Sequence, residues 1–249
     1  MSNIQFSLLS YYPSILNDEN INVGMLFYCN NPTYKFFYVT KNLKRLSSFD
    51  DELDMAFMKD YLLGIKEQWE NMNSESKESD VSSFIYNYGN ELRFGKIQSI
   101  NVDNYESFIS DSIHMNFRFD FDKKDRPNEE SIKKYLVNLL KTSGIKYSNN
   151  KVSGGFGESV NYDFMIDKVG FKSITLGDES SIRRQMMNLK GWAYTALMNK
   201  DTNNFDTVFV VDSESTETAY QQAQKILREH AIVLKPSEML SYVQNMVNN

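Results

Sequence analysis

The chain has 249 residues, 41% of them apolar and 24% charged, with a net charge of −6. That length can bury one large or two modest cores. The acidic balance excludes a broadly basic nucleic-acid coat, and the lack of an apolar run of about 18 residues excludes a membrane-spanning helix. The charge is uneven: residues 1–126 carry 13 Lys and Arg against 19 Asp and Glu, and residues 127–249 carry 14 against 14. A nucleic-acid contact is therefore expected in the C-terminal half, and the acidic N-terminal half would suit a basic protein partner. The opening "MSNIQFSLLSYY" has no basic lead before a long apolar stretch, so no signal peptide and a cytoplasmic setting are expected. Cys29 is the single cysteine, which excludes an internal disulfide; with only His114 and His230 beside it, no ordinary structural zinc site can form.

In chain order, "IQFSLLSYY", "INVGMLFYC" and "YKFFYV" read as three strands separated by turn formers, a meander too short for a barrel. Asp50 is placed to cap a helix starting at Asp51. Leu53, Phe57, Tyr61, Ile65 and Trp69 recur every four residues, with Met58 and Leu62 beside them, and predict the face that packs on the sheet. "NMNSESKESD" reads as an exposed loop. The charged stretch 122–130, with Pro127 inside it, predicts a boundary between domains 1–126 and 127–249.

The second half alternates helices with short apolar strands. A helix over 129–142 carries Ile132, Tyr135, Leu136, Leu139 and Leu140. Strands near 160–166 and 171–176 flank a Lys-Val-Gly turn. A helix over 180–198, the strand "TVFVVD", a helix over 216–229, the strand "AIVLK" and a helix after Pro236 follow. The expected fold is α+β: an N-terminal antiparallel sheet with packed helices, and a C-terminal α/β sandwich.

Two resemblances sharpen these expectations. "SLLSYYPSILNDENINVGMLFYCNN", with Glu19, Asn22, Val23 and Gly24, and the later "NELRFGKIQSI" resemble a bacterial family known as a domain of unknown function. Genes of that family often lie beside those of HipA-like kinases, which implies a kinase or toxin as protein partner. Gly24 within a strand also marks a bulge or a close backbone contact in its own right. From residue 128 on, the order of elements resembles the PD-(D/E)xK nucleases, which implies a restriction-endonuclease-like sandwich. There an Asp on one strand and a Glu-x-Lys on the next would converge on Mg²⁺. Asp163 matches the first position and Glu158 lies just upstream. The next strand offers Ser173 and Thr175, or Thr175 and Gly177, where a carboxylate and a lysine belong. Catalysis would then need migrated ligands, with Asp178 and Glu179 past the strand and Lys172 near its start. Asp178-Glu179-Ser180 also reads as acidic capping of the following helix.

Other constellations carry less. "SGGFGES" lacks the Gly-Lys-Ser/Thr of a phosphate loop and reads as a turn. Arg183, Arg184, Lys190 and Tyr194 on one helix, with Lys168 and Lys172 in the preceding hairpin, form a candidate basic patch for a phosphate backbone or an acidic surface. Gln185 reads as a polar core residue. Tyr34, Phe36 and Tyr38 alternate as core and edge packing rather than as a base-stacking platform. These readings converge on a non-enzymatic binding protein with no cofactor and no metal. Its partner is a nucleic acid or nucleoprotein complex. By analogy with its superfamily, the setting is prokaryotic phage defence or counter-defence: a mobile-element conflict, a defence accessory or an anti-CRISPR-like inhibitor. The alternatives are a Mg²⁺-dependent nuclease and a kinase or toxin partner.

Overall fold

The computed structural model describes residues 1–14, 19–72, 79–149, 151–154, 157–176, 179–211 and 218–247. Most of the loop expected at 71–80 lies outside them, as do Asp178 and part of the glycine-rich stretch. The chain divides into two compact units, Met1–Arg126 and Pro127–Asn249. Among the described residues no helix is long and apolar enough to cross a membrane.

In the first unit, β1 (Ser2–Tyr11), β2 (Ile21–Asn30) and β3 (Thr33–Val39) form an antiparallel meander. Helices α1 (Leu43–Phe49), α2 (Met55–Glu70) and α3 (Ser79–Tyr86) follow. Strands β4 (Leu92–Phe94) and β5 (Gln98–Val102) both pair antiparallel with β1, at its end and its start respectively. Helix α4 (Tyr105–Asn116) comes next. Leu9, Leu26 and Phe37 reach from one face of the sheet into a core shared with Leu46, Met58, Leu62, Ile65 and Trp69. On the alternate face Phe6 meets Phe27 and Phe108 of α4. Both faces being covered explains why nearly all of β2 is apolar and buried, Cys29 included. The register of β1 against β2 shifts between Leu9 and Ser10, beside Gly24. A Cβ on Gly24 would sit 2.6 Å from Phe37 Cζ, so this glycine answers to both a bulge and a close contact.

Two expectations for this unit need correction. Asp50 does not start the long helix. It follows α1, accepting the Tyr11 hydroxyl at 2.5 Å and the Glu52 N–H at 3.1 Å. Asp54 caps α2 instead, accepting the N–H groups of Ala56 and Phe57. The row at every fourth residue is buried only in its second half, at Ile65 and Trp69. Met58, Leu62, Ile65 and Trp69 face the sheet, whereas Phe57 is 63% and Tyr61 43% exposed. At 3.6 residues per turn, a step of four advances the row by about 40°, so it winds off the core face.

The second unit opens on α5 (Glu129–Thr142), capped by the Asn128 side chain on the Ser131 N–H. It buries the five apolar residues whose spacing predicted it. A small hairpin joins β6 (Val152–Ser153) to β7 (Ser159–Val160). Strands β8 (Phe164–Ile166) and β9 (Val169–Ile174) then pair antiparallel. Helix α6 (Glu179–Asn203) leads to β10 (Asp206–Val211), and α7 (Thr218–Arg228) to β11 (Ile232–Leu234), before α8 (Pro236–Val247). The sheet order is β11-β10-β9-β8, and the first three strands are mutually parallel. Ile174, Phe209 and Val211 pack under α6 and α7. Phe171, alternating with Ile174, meets Tyr242 of α8 on the opposite face. A sheet buried on both sides needs the continuous apolar run seen in β10. The turn between β8 and β9 is Asp167–Lys168 rather than Lys-Val-Gly, with Asp167 at a left-handed φ of 50°. Aspartate tolerates that region better than most residues.

Candidate functional site

The turn at Asp167–Lys168 sets the register Phe164↔Phe171. One residue before β8, the Asp163 N–H donates to the Phe171 carbonyl at 2.8 Å. The Asp163 side chain then reaches the edge of β9 that β8 leaves unpaired. Its Oδ2 accepts the Ser173 N–H at 2.6 Å, and its Oδ1 accepts Lys172 Nζ at 3.2 Å. The pair is mostly enclosed, with the two side chains 11% and 19% exposed. Lys172 Nζ also lies 5.5 Å from the centroid of the Trp192 ring. Both carboxylate oxygens thus have donors within the chain, and the lysine rests on an aromatic face that favours its charge.

The lysine partner of Asp163 is therefore Lys172, not a residue at 173–177. Two positions earlier on the same face of β9, where the nuclease pattern would carry its second carboxylate, stands Gly170. A Cβ there would lie 2.6 Å from Tyr162 Cγ and 2.7 Å from Phe205 Cε1. Tyr162 is itself fixed, its hydroxyl 2.8 Å from Thr207 Oγ1 and accepting from Asn199 Nδ2 at 3.0 Å. Burial pushes the Tyr162 phenol pKa up, so the ring stays neutral in this network. The space that a carboxylate would need is filled.

A cavity of about 680 Å³ opens beside the pair. Lys172 and Ser173 contribute to its wall from β9, and Gln185, Asn188, Trp192 and Thr195 from α6. Glu129, at the start of α5, and Glu158 and Asn161, on the approach to β8, complete much of the rest. Glu158 is exposed and its carboxylate folds over Gly154, where even a Cβ would collide with it. Amides, hydroxyls, one indole, one cation and two carboxylates suit hydrogen bonding to a polar ligand. Among the described residues no group of three His, Cys, Asp or Glu could hold a metal ion.

The six residues of the expected basic patch do not gather in one place. Arg183, Lys190 and Tyr194 are exposed and fall within about 40° of one another around α6. Gln185, Asn188, Trp192 and Thr195 lie roughly 160° away, on the flank lining the cavity. Arg184 stands between the two flanks and folds back on the first turn, donating to the Ser180 carbonyl and to Ser181 Oγ at 3.3 Å. Lys172 is engaged with Asp163. Lys168 sits at the turn, about 13 Å along β9 from Lys172. Of the migrated-ligand candidates, Glu158 lines the cavity, and Asp178 and the Glu179 side chain fall outside the described residues. Glu129, Asn188, Trp192 and Thr195 were not singled out from the sequence. Their three- and four-residue spacing on α6 was the available signal for the last three.

Residues 6–98 match a family model described as a protein of unknown function (DUF3037). The match runs from β1 to the first residue of β5 and leaves out α4 and the whole second unit. No curated protein and no solved structure matches the chain.

Proposed function

We propose that the Pro127–Asn249 unit is a non-catalytic binding module for a nucleic acid or a nucleoprotein complex. The observation that carries this reading is the commitment of Asp163: both of its oxygens accept donors from β9, and Gly170 leaves no room for a second carboxylate. Beside the pair, a cavity walled by amides, hydroxyls and the Glu129 and Glu158 carboxylates lies on one flank of α6, and Arg183 and Lys190 are exposed on the other. The row supplies phosphate contacts and the cavity supplies selectivity. The element order α5-β8-β9-α6-β10 supports a restriction-endonuclease-like ancestry for the sandwich. That ancestry supports a role in prokaryotic defence or counter-defence, as an accessory or an anti-CRISPR-like inhibitor. The acidic first unit would then serve a protein partner, a HipA-like kinase or toxin being the kind its family resemblance suggests.

The test is binding of labelled single- and double-stranded DNA and RNA by fluorescence anisotropy. Arg183→Glu, Arg184→Glu and Lys190→Glu together should weaken it, and unchanged affinity would remove the row from the reading. A second reading, a metal-dependent nuclease, draws on Glu129 and Glu158 lining the same cavity as Lys172. Cleavage that requires Mg²⁺ or Mn²⁺ and is abolished by Asp163→Ala would establish it over the first.

A further inference from the structure

Helix α2 leaves an aromatic row outside the core of the first unit. Phe57 and Tyr61 stack on each other, ring centroids 5.8 Å apart and planes 22° from parallel, while 63% and 43% exposed. Their mutual contact holds the rings in place ahead of any partner. The row continues one turn on at Gly64, an exposed mid-helix glycine where a Cβ would meet nothing within 4 Å. Glycine there costs the helix about 1 kcal/mol against alanine, and its left-handed freedom goes unused in a helix. What it supplies is close access to the backbone beside the aromatic pair.

The surroundings select the partner. Between Asp51 and Glu70 six carboxylates stand against two lysines. At 3.6 residues per turn, Asp60 and Glu67 flank the Phe57–Tyr61–Gly64 row on its outward side, and Lys59 and Lys66 fall about 160° away from it. A second copy of the chain meeting this face would bring like charges together. A basic partner would bring apolar residues onto the rings and cations onto Asp60 and Glu67.

We propose that the Phe57–Tyr61–Gly64 face of α2 is a docking surface for a basic amphipathic helix of a partner protein. The row spans about 11 Å from Phe57 to Gly64, two turns of helix. The partner would therefore present apolar residues three and four apart, with Lys or Arg on either side, in the helix-on-helix mode of recognition. This inference does not depend on the nucleic-acid reading of the second unit.

The experiment uses the full chain and a fluorescent helical peptide of leucine and lysine, with leucines at three- and four-residue spacing. A peptide with glutamate in place of lysine is the control. Saturable binding of the lysine peptide alone is expected. Phe57→Ala with Tyr61→Ala, and separately Asp60→Lys with Glu67→Lys, should each weaken it at least about tenfold, the loss of a hot-spot side chain or its charge partner. Circular dichroism melts of both variants should match the parent, because none of the four side chains is buried. Equal binding by the Phe57/Tyr61 variant, equal binding of the glutamate peptide, or no saturable binding would overturn the proposal. So would a dimer seen by sedimentation that the Phe57/Tyr61 variant loses, which would assign the face to a second copy.

Discussion

Replacing Asp163 by Asn keeps the shape of the side chain and removes its charge. The amide oxygen can still accept the Ser173 N–H, but an amide NH₂ then faces Lys172 Nζ, 3.2 Å from the original oxygen. At that distance and an effective dielectric of about 20, the gross attraction lost is about 5 kcal/mol. Much of it is offset by the desolvation that both charges undergo on folding, so the net destabilisation expected is about 3 kcal/mol. For a unit of about 120 residues this lowers the melting temperature by about 10 °C. Lys172→Met leaves Asp163 with its backbone donor and should cost less. In the double variant neither charge is stranded, which predicts a coupling of about 2 kcal/mol in a double-mutant cycle. The chain has two tryptophans, one in each unit. Urea unfolding in a Trp69→Phe background, followed by Trp192 fluorescence, therefore reports on the second unit alone. A coupling below about 0.5 kcal/mol would refute the assignment of Asp163 to a structural pair.

Four further outcomes follow. Gly170→Glu, which places a carboxylate two positions before Lys172, should destabilise the second unit and confer no Mg²⁺-dependent cleavage; a stable, cutting variant would overturn the packing argument around Tyr162 and Phe205. The Arg183/Arg184/Lys190 charge reversal should reduce the slope of log affinity against log salt by up to about 3, which anisotropy titrations at several salt concentrations measure. Tyr38 donates to Asp120 at 2.9 Å, and burial, then the Asp120 carboxylate, push its phenol pKa far above the ordinary value of 10.0. As pH rises past about 10, the unfolded chain releases this proton while the folded one keeps it, so stability falls with pH; Tyr38→Phe should flatten that fall in alkaline melts. Asp120→Ala also strands the Thr40 hydroxyl and the N–H groups of Lys41 and Asn42, and should cost at least about 3 kcal/mol by urea denaturation.

The elements were more legible in the sequence than the site. α5 could be read to the residue because its cap, its first-turn acids and its apolar spacing agree. The meander was visible because turn formers separate its strands. On α2 the eye follows a repeat of four, whereas burial follows 3.6, and the two diverge over three turns until Phe57 and Tyr61 leave the core. The Asp163–Lys172 pair was missed for a similar reason of register. A turn placed at Lys-Val-Gly slides β9 by three residues and sets Ser173 and Thr175 where Gly170 and Lys172 belong. No local pattern marks a left-handed aspartate, so only the folded turn reveals the pairing. Lys172 and Asp163 were both named as candidates, but their mutual contact arises from pairing between strands, which composition and spacing do not encode.

Helix α6 divides its circumference among three tasks: Ile182, Leu189 and Ala196 toward the sheet, Gln185 and Trp192 toward the cavity, and Arg183 and Lys190 toward solvent. Such a rod tolerates exchanges at single positions far better than changes of length. One residue inserted before Gly191 would turn everything after it by about 100°, carrying Trp192 out of the cavity wall and Ala196 out of the core in a single event. Descendants of this chain should accordingly vary in side chains along α6 while keeping its residue count between Ile182 and Asn199 unchanged.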